Sequence, residues 1–229
     1  MIEPGFLART RTSYDTLAAD YAEYFRDELA AKPLDRAVLG GFAELVRTAG
    51  NGPVADIGCG PGRIAAHLHG LGVSVSGIDL SPQMVVQARR TYPDLRFDVG
   101  SMTALELKDC SLGGIVAWYS IIHVPEEQLP GVFGEFHRVL APGGYVQLAF
   151  QIGDGPLHRT EAGGHEVSLD FHQRRPDQVA ELLREAGLAE HARLVREPDG
   201  DDARFPENSP QGFLLARKPA QPRECADEF

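Results

Sequence analysis

The stretch that most constrains this chain is residues 53–82, where a short apolar segment runs straight into a cluster of glycines. Val54, Ala55 and Ile57 read as a strand that stops on Gly58, Gly60 and Gly62. Ile64, Ala65, Ala66 and Leu68 then continue at helical spacing, and a second apolar strand over 73–78 closes on Asp79, 21 residues after Gly58. Strand, glycine turn, helix, strand and acid, in that order, make one nucleotide-binding βαβ unit.

Each part of the unit has a physical task. Glycines let the backbone turn tightly and let a ligand approach it where a Cβ would collide. The free N–H groups and positive dipole end of the following helix favour a carboxylate or phosphate. Asp79, at the carboxyl end of the second strand, can accept hydrogen bonds from both hydroxyls of a ribose, and its charge would repel a 2′-phosphate. The dinucleotide fingerprint G-x-G-x-x-G needs glycine at position 63, but this chain reads G-x-G-x-G and places Arg63 there. Asp56, two residues before the first glycine, would welcome a cationic ligand.

The run Asp56-Ile57-Gly58-Cys59-Gly60-Pro61-Gly62 resembles the first motif of class I S-adenosylmethionine-dependent methyltransferases. Gly77-Ile78-Asp79-Leu80-Ser81-Pro82-Gln83-Met84 is similar to that family's ribose-binding segment. The resemblance extends over 13–217 and is densest over 53–148. It implies a three-layer αβα Rossmann-like domain with a seven-stranded, mostly parallel sheet, its seventh strand antiparallel. It implies S-adenosylmethionine as cofactor and S-adenosylhomocysteine as product. Cofactor contacts are then expected from Asp56, Gly58, Cys59, Gly60, Gly62, Arg63, Asp79, Leu80 and Met84. Further contacts are expected from Gly100, Ser101 and Met102 near the adenine, from Trp118, and from Tyr119 and Ser120, which would border the transferring methyl or the adenosine. The chain departs from the family at Ser101, where many members have an acid, and at Gly113-Gly114, where an acid often opens the fourth strand.

A chain of 229 residues can hold one domain, here expected over 1–229, with a sizeable core. A formal charge of −11 disfavours a nucleic-acid partner, which calls for a basic face. No apolar run reaches the roughly 20 residues of a membrane span, and no charged-then-apolar leader opens the chain, so no membrane partner is expected. Three scattered cysteines, Cys59, Cys110 and Cys225, suggest reduced thiols in a cytoplasm. The protein is expected to be a monomer or homodimer.

Residues 1–12 are expected to fray, and Ser13 to cap a helix whose stripe is Tyr14, Leu17, Ala18, Tyr21 and Phe25. The resemblance makes this helix part of a helical lid over 13–48, with Tyr14 and Tyr21 over the cofactor and Tyr24 toward the substrate. The alternative is an aromatic stripe merely docked on the core. Pro33 starts a second helix that buries Leu34, Val38, Leu39, Phe42, Leu45 and Val46. A helix from Pro82 turns Met84, Val85 and Ala88 to the sheet, and a third strand spans 95–99. The fourth strand, 113–119, delivers His123 to the carboxyl edge of the sheet. A helix over 126–140, a turn at 141–144 and a strand over 145–150 resemble the family's entry to its fifth strand and complete the cofactor-binding core, 53–150.

Residues 151–172 break the pattern, with His158, His165 and His172 seven residues apart. Lacking thiols and an i, i+4 histidine pair, they are not expected to hold zinc. They read either as a substrate-facing cap inserted after the fifth strand or as a solvated loop. A helix over 176–188, a sixth strand over 189–196, a mobile turn over 197–210 and a seventh strand over 213–216 follow. The tail 219–229 is expected to be disordered.

The expected chemistry is in-line displacement of a methyl group by an oxygen, nitrogen or carbon nucleophile of a small molecule. His123 is the candidate general base, since an unperturbed imidazole titrates near neutral pH; it can equally be a structural tie. Rival readings are a non-catalytic S-adenosylmethionine-binding or regulatory protein and an NAD-dependent oxidoreductase.

Overall fold

The apolar residues of the strands alternate between two faces, and both are covered. In the computed structural model, which describes residues 4–198 and 204–220, Val54 of β1 (Val54–Ile57) lies on one side, and Ala55 and Ile57 on the other. In β4 (Leu112–Trp118), Val116 and Trp118 oppose Ile115 and Ala117. A strand buried on both faces belongs in the middle of an α/β sheet. One face carries α3 (Pro33–Ala49), α4 (Arg63–Gly70) and α5 (Pro82–Thr91); the other carries α6 (Leu129–Val139) and α7 (Pro176–Glu185).

With β2 (Val75–Asp79), β3 (Arg96–Val99), β5 (Leu140–Gln151), β8 (Ala189–Arg196) and β9 (Gln211–Arg217), the sheet has seven strands in the order β3-β2-β1-β4-β5-β9-β8. β1 to β5 run parallel, and β9 lies antiparallel between β5 and β8. The strand order reverses between β1 and β4, and the crevice above such a switch point is where open α/β sheets bind ligands.

Several local expectations are corrected. The first helix, α1, spans Gly5–Tyr24 rather than starting at Ser13, because Leu7 continues its buried stripe about two turns toward the N-terminus. Ser13 is buried inside that helix, and its Oγ donates to the Ser168 carbonyl. Leu34 is exposed at the start of α3, whereas Leu39, Phe42 and Val46 are buried as the pattern implied. Residues 126–140 divide into a 3₁₀ turn at Glu126–Gln128 and α6, which starts beside Pro130. The expected turn at 141–144 is an irregularity within β5, whose pairing with β4 shifts register there.

Apart from a short bend at 153–155, residues 151–172 are not a loop. They fold into an antiparallel hairpin, β6 (Pro156–Ala162) and β7 (His165–His172), outside the main sheet. Val167 and Leu169 of β7 are buried against Leu17 of α1, with Tyr14 and Tyr21 at the edge of the cluster. The described part of the expected mobile turn is anchored: Phe205 is buried against Tyr24 and Phe25, and Arg196 grips Glu207 with two bonds of 2.6 and 2.8 Å. Residues 199–203 and 221–229, and with them Cys225 and most of the expected disordered tail, lie outside the described residues. Among the described residues, no helix is long and apolar enough to cross a membrane.

Candidate functional site

The floor of the site is built where β1, β2 and β4 end side by side. Gly58 has φ +76°, and a Cβ there would lie 2.3 Å from the Cβ of Ser120, so only glycine lets β1 end against β4. Ser120 uses that closeness: its Oγ donates to the Ile57 carbonyl at 2.6 Å, tying the two strands across the switch point. Gly60, also left-handed at φ +53°, borders open space, since an added Cβ would meet nothing within 4 Å. Tyr119, beside Ser120, is held at φ +54°, an unusual conformation for a residue with a side chain.

Asp79 closes the floor. Its Oδ2 accepts from the Gly60 N–H at 2.7 Å and its Oδ1 from the Ser81 N–H at 2.8 Å. Burial raises its pKa to about 6 despite these bonds. Each oxygen keeps a lone pair for a ligand donor. A cavity opens directly above this floor, lined by the ends of β1, β2 and β4.

The roof is α1. Asp15 accepts from the Ser81 hydroxyl at 2.6 Å and from the Gln83 N–H at 3.1 Å, so α1 caps the start of α5 from outside. On its other flank α1 is held by the hairpin, through Ser13 to Ser168 and through Asp20 to His165 at 2.7 Å. Tyr14 and Tyr21 reach down from α1 into the cavity wall, their rings edge to face at 5.8 Å. Arg63 pairs with Glu28 at 2.6 Å and lies over the Phe25 ring, joining the glycine turn to the end of the roof.

His123 stands where β4 has turned into a 3₁₀ segment, Ile121–His123. Its Nε2 is 2.7 Å from the Tyr14 hydroxyl, and its Nδ1 is 2.9 Å from the Asp170 carbonyl. Burial pushes its pKa down to about 4, the Asp170 bond opposing and the nearby His172 and Arg174 charges adding to the fall. The neutral-range titration expected for a general base is therefore displaced by burial.

Most of the expected site residues converge on this one cavity. Tyr14, Tyr21, Gly58, Cys59, Gly60, Arg63, Asp79, Leu80, Met84, Gly100, Ser101, Met102, Trp118, Tyr119, Ser120 and His123 all line it. Asp56 does not: it is fully buried below the floor, and its Oδ2 accepts from the Ala65 N–H at the start of α4. Its other oxygen has no partner, and burial raises its pKa to about 7. Gly62 is packed behind the turn, where Phe97 and Ala88 crowd it. Tyr24 points away to the surface and donates to the Arg204 carbonyl at 2.6 Å. No residue of the hairpin lines the cavity; Val167 and Leu169 pack on α1, and the Asp170 carbonyl and the Phe171 ring lie against His123. His158 binds Asp170 at 2.7 Å, His165 binds Asp20, and His172 lies at the far end of β7, so the three imidazoles do not meet. Phe6, Leu7, Thr10 and Arg11 also line the cavity. Their signal was present, since Leu7, Thr10, Tyr14, Leu17 and Tyr21 follow one helical stripe back from the lid tyrosines.

A doubly wound sheet with a glycine turn, a strand-end acid and a roofed cavity at its switch point defines a nucleoside-binding α/β domain. Residues 54–144 match the model of the methyltransferase domain. The chain is 36% identical over 96 residues to the demethylmenaquinone methyltransferase of Chlorobaculum parvum, covering 42% of this chain and 39% of that protein. It is 34% identical over 132 residues to the trans-aconitate 2-methyltransferase of Escherichia fergusonii, covering 57% and 50%. It thus spans half or less of the length of these two relatives. Its fold matches the magnesium protoporphyrin IX methyltransferase of Synechocystis with bound S-adenosylmethionine at a TM-score of 0.67. That match has 16% identity and covers 95% of this chain and 99% of the other. The chain is thus similar over residues 54–144 to methyltransferase domains, and its fold is shared with a methyltransferase of known structure. These similarities favour a methyltransferase over the NAD-dependent oxidoreductase reading.

Proposed function

We propose that this protein moves a methyl group from S-adenosylmethionine to an oxygen, nitrogen or carbon nucleophile of a small organic acceptor. The observation that carries this reading is the cradle of Asp79 and the glycine turn. A buried carboxylate with a spare lone pair on each oxygen fits a pair of ribose hydroxyls, and the backbone at Gly60 leaves room for a ligand to lie against it. Both curated relatives named above are methyltransferases whose names specify small molecules, which supports a small acceptor here.

The cofactor, when bound, supplies an electrophilic sulfonium methyl; the chain's own residues bind, align and shield. Asp79 and Leu80 hold the ribose, and Gly100, Ser101 and Met102 border the adenine. Gly58, Cys59 and Gly60 carry the amino-acid end, with Arg63 and Tyr21 beside it. Trp118, Tyr119 and Ser120 form the wall nearest the reacting centre. Tyr14 and Tyr21 exclude water from above, and alignment of this kind can supply several kcal/mol of a barrier. Since the cofactor carries the hard chemistry, the protein needs no nucleophile of its own. Cys59 fits that role poorly, because burial holds its thiol well above its ordinary pKa.

The test is transfer of an isotopically labelled methyl group from S-adenosylmethionine to a panel of phenols, amines, carboxylic acids and activated-methylene compounds. At least one class should become labelled, with S-adenosylhomocysteine formed in equal amount. A protein that binds S-adenosylhomocysteine but labels no acceptor would instead be the non-catalytic binder.

A further inference from the structure

The hydrogen bonds around His123 fix which of its atoms a ligand could use. A main-chain carbonyl only accepts, so the Nδ1 facing Asp170 at 2.9 Å carries the ring proton. The Nε2 lone pair is then the acceptor, and the Tyr14 hydroxyl 2.7 Å away donates to it. The imidazole is also packed edge to face between the rings of Tyr14 at 5.1 Å and Phe171 at 4.8 Å. Both nitrogens are therefore engaged, and of the pair it is the Tyr14 oxygen that keeps lone pairs; both residues line the cavity.

We propose that Tyr14 is the catalytic residue that accepts the proton of the methyl acceptor, and that His123 is the terminal base behind it. The inference rests on the methyltransferase reading and specifies the acceptor as one that enters with its O–H or N–H intact. The balance is closed. A lone pair on the acceptor atom forms the new bond to carbon, and the carbon–sulfur pair returns to sulfur. The acceptor's own bonding pair stays on that atom as its proton passes to the Tyr14 oxygen. The original Tyr14 proton passes to Nε2 of His123 in the same event.

Three features of the site suit such a relay. Burial raises the Tyr14 pKa well above its ordinary value, so a free tyrosinate is disfavoured and the two proton shifts must be coupled. The imidazolium would find both of its N–H groups already aimed at acceptors, the Asp170 carbonyl and the Tyr14 oxygen, with no reorganisation. The cavity also keeps one positive charge throughout, since the sulfonium becomes neutral as the imidazole becomes charged. The surroundings that lower the His123 pKa to about 4 then drive release of the proton when the site opens to water.

The experiment uses full-length native protein, Tyr14→Phe, His123→Gln and the double variant. Nitrogen-15 NMR of histidine-labelled native protein should show His123 with its proton on Nδ1, and Tyr14→Phe should shift the Nε2 resonance. Calorimetry should give S-adenosylhomocysteine affinities within threefold of native for Tyr14→Phe, since the ring stays. With whichever hydroxyl or amine compound of the panel the native protein methylates, each single variant should lose about 10²–10⁴-fold in kcat. The double variant should be no slower than the worse single, as expected of groups acting as a unit. A proton on Nε2 in the native protein, a Tyr14→Phe rate within threefold of native, or multiplicative losses would each overturn the relay. A native protein that methylates no compound of the panel while binding S-adenosylhomocysteine would overturn the methyltransferase reading itself, and the relay with it.

Discussion

Asp79 ties together the floor of the cavity and stays open to a ligand there. By accepting from Gly60 and Ser81 it holds the glycine turn and the start of α5 around the cavity, and it remains a buried acid with a pKa of about 6. A ribose would donate to the ionised form, so a bound cofactor and a proton compete for it. The sign follows: affinity for S-adenosylhomocysteine should be flat above about pH 7 and weaken as pH falls through about 6. The slope should approach tenfold per pH unit, because one unit corresponds to about 1.4 kcal/mol. Calorimetry across pH 5–8 checks this, and Asp79→Asn should flatten the slope while weakening binding at neutral pH. The place of Asp79 at the cavity was readable from the sequence, because the residue that ends the second strand lies at the carboxyl edge of the sheet. Asp56 was not, since a carboxylate two residues before a glycine turn can face a ligand or the next helix with the same spacing. Here the Ala65 N–H, in the first turn of α4, claims it. The proton inventory of His123 was equally hidden, because it depends on Asp170 and Tyr14, which are 47 and 109 residues away in sequence.

At the scale of elements, the lid is a sandwich filling. α1 lies between α5, which it caps through Asp15, and the β6–β7 hairpin, which covers its outer side. The hairpin thus buttresses the roof without lining the cavity. Leu169→Ala, at a side chain 1% exposed and outside the cavity lining, should cost about 2–5 kcal/mol of stability, as buried Leu→Ala changes do. It should also weaken S-adenosylhomocysteine binding several-fold by loosening α1. Thermal melts and calorimetry read the two effects, and unchanged affinity would mean that the hairpin is mere surface. Addition of S-adenosylhomocysteine should likewise slow amide exchange over residues 10–24 if α1 closes on the ligand. The parallel strands were legible because their apolar runs and glycine stops are local signals. The hairpin was not: β6 is almost wholly exposed, and β7 finds its apolar partner only in a helix some 150 residues earlier.

For the whole molecule, the seven-stranded sheet and its antiparallel last strand were expected from the family resemblance that the glycine motif carries, not from any local signal in the strands themselves. The acidic surface and the roofed cavity agree with a small-molecule substrate. The acceptor was not legible, because the wall that would select it includes Phe6, Leu7, Thr10 and Arg11, on a helical turn the sequence had not been expected to form. Every functional statement depends on the cavity at the switch point holding S-adenosylmethionine rather than a dinucleotide. The most direct measurement is a pair of calorimetric titrations of the native protein at pH 7.5, one with S-adenosylhomocysteine and one with NAD, each repeated on Asp79→Ala. The account predicts saturable binding of S-adenosylhomocysteine, weakened by roughly 2 kcal/mol or more in the variant, and no binding of NAD. Tight NAD binding, or an S-adenosylhomocysteine affinity indifferent to the loss of Asp79, would contradict it.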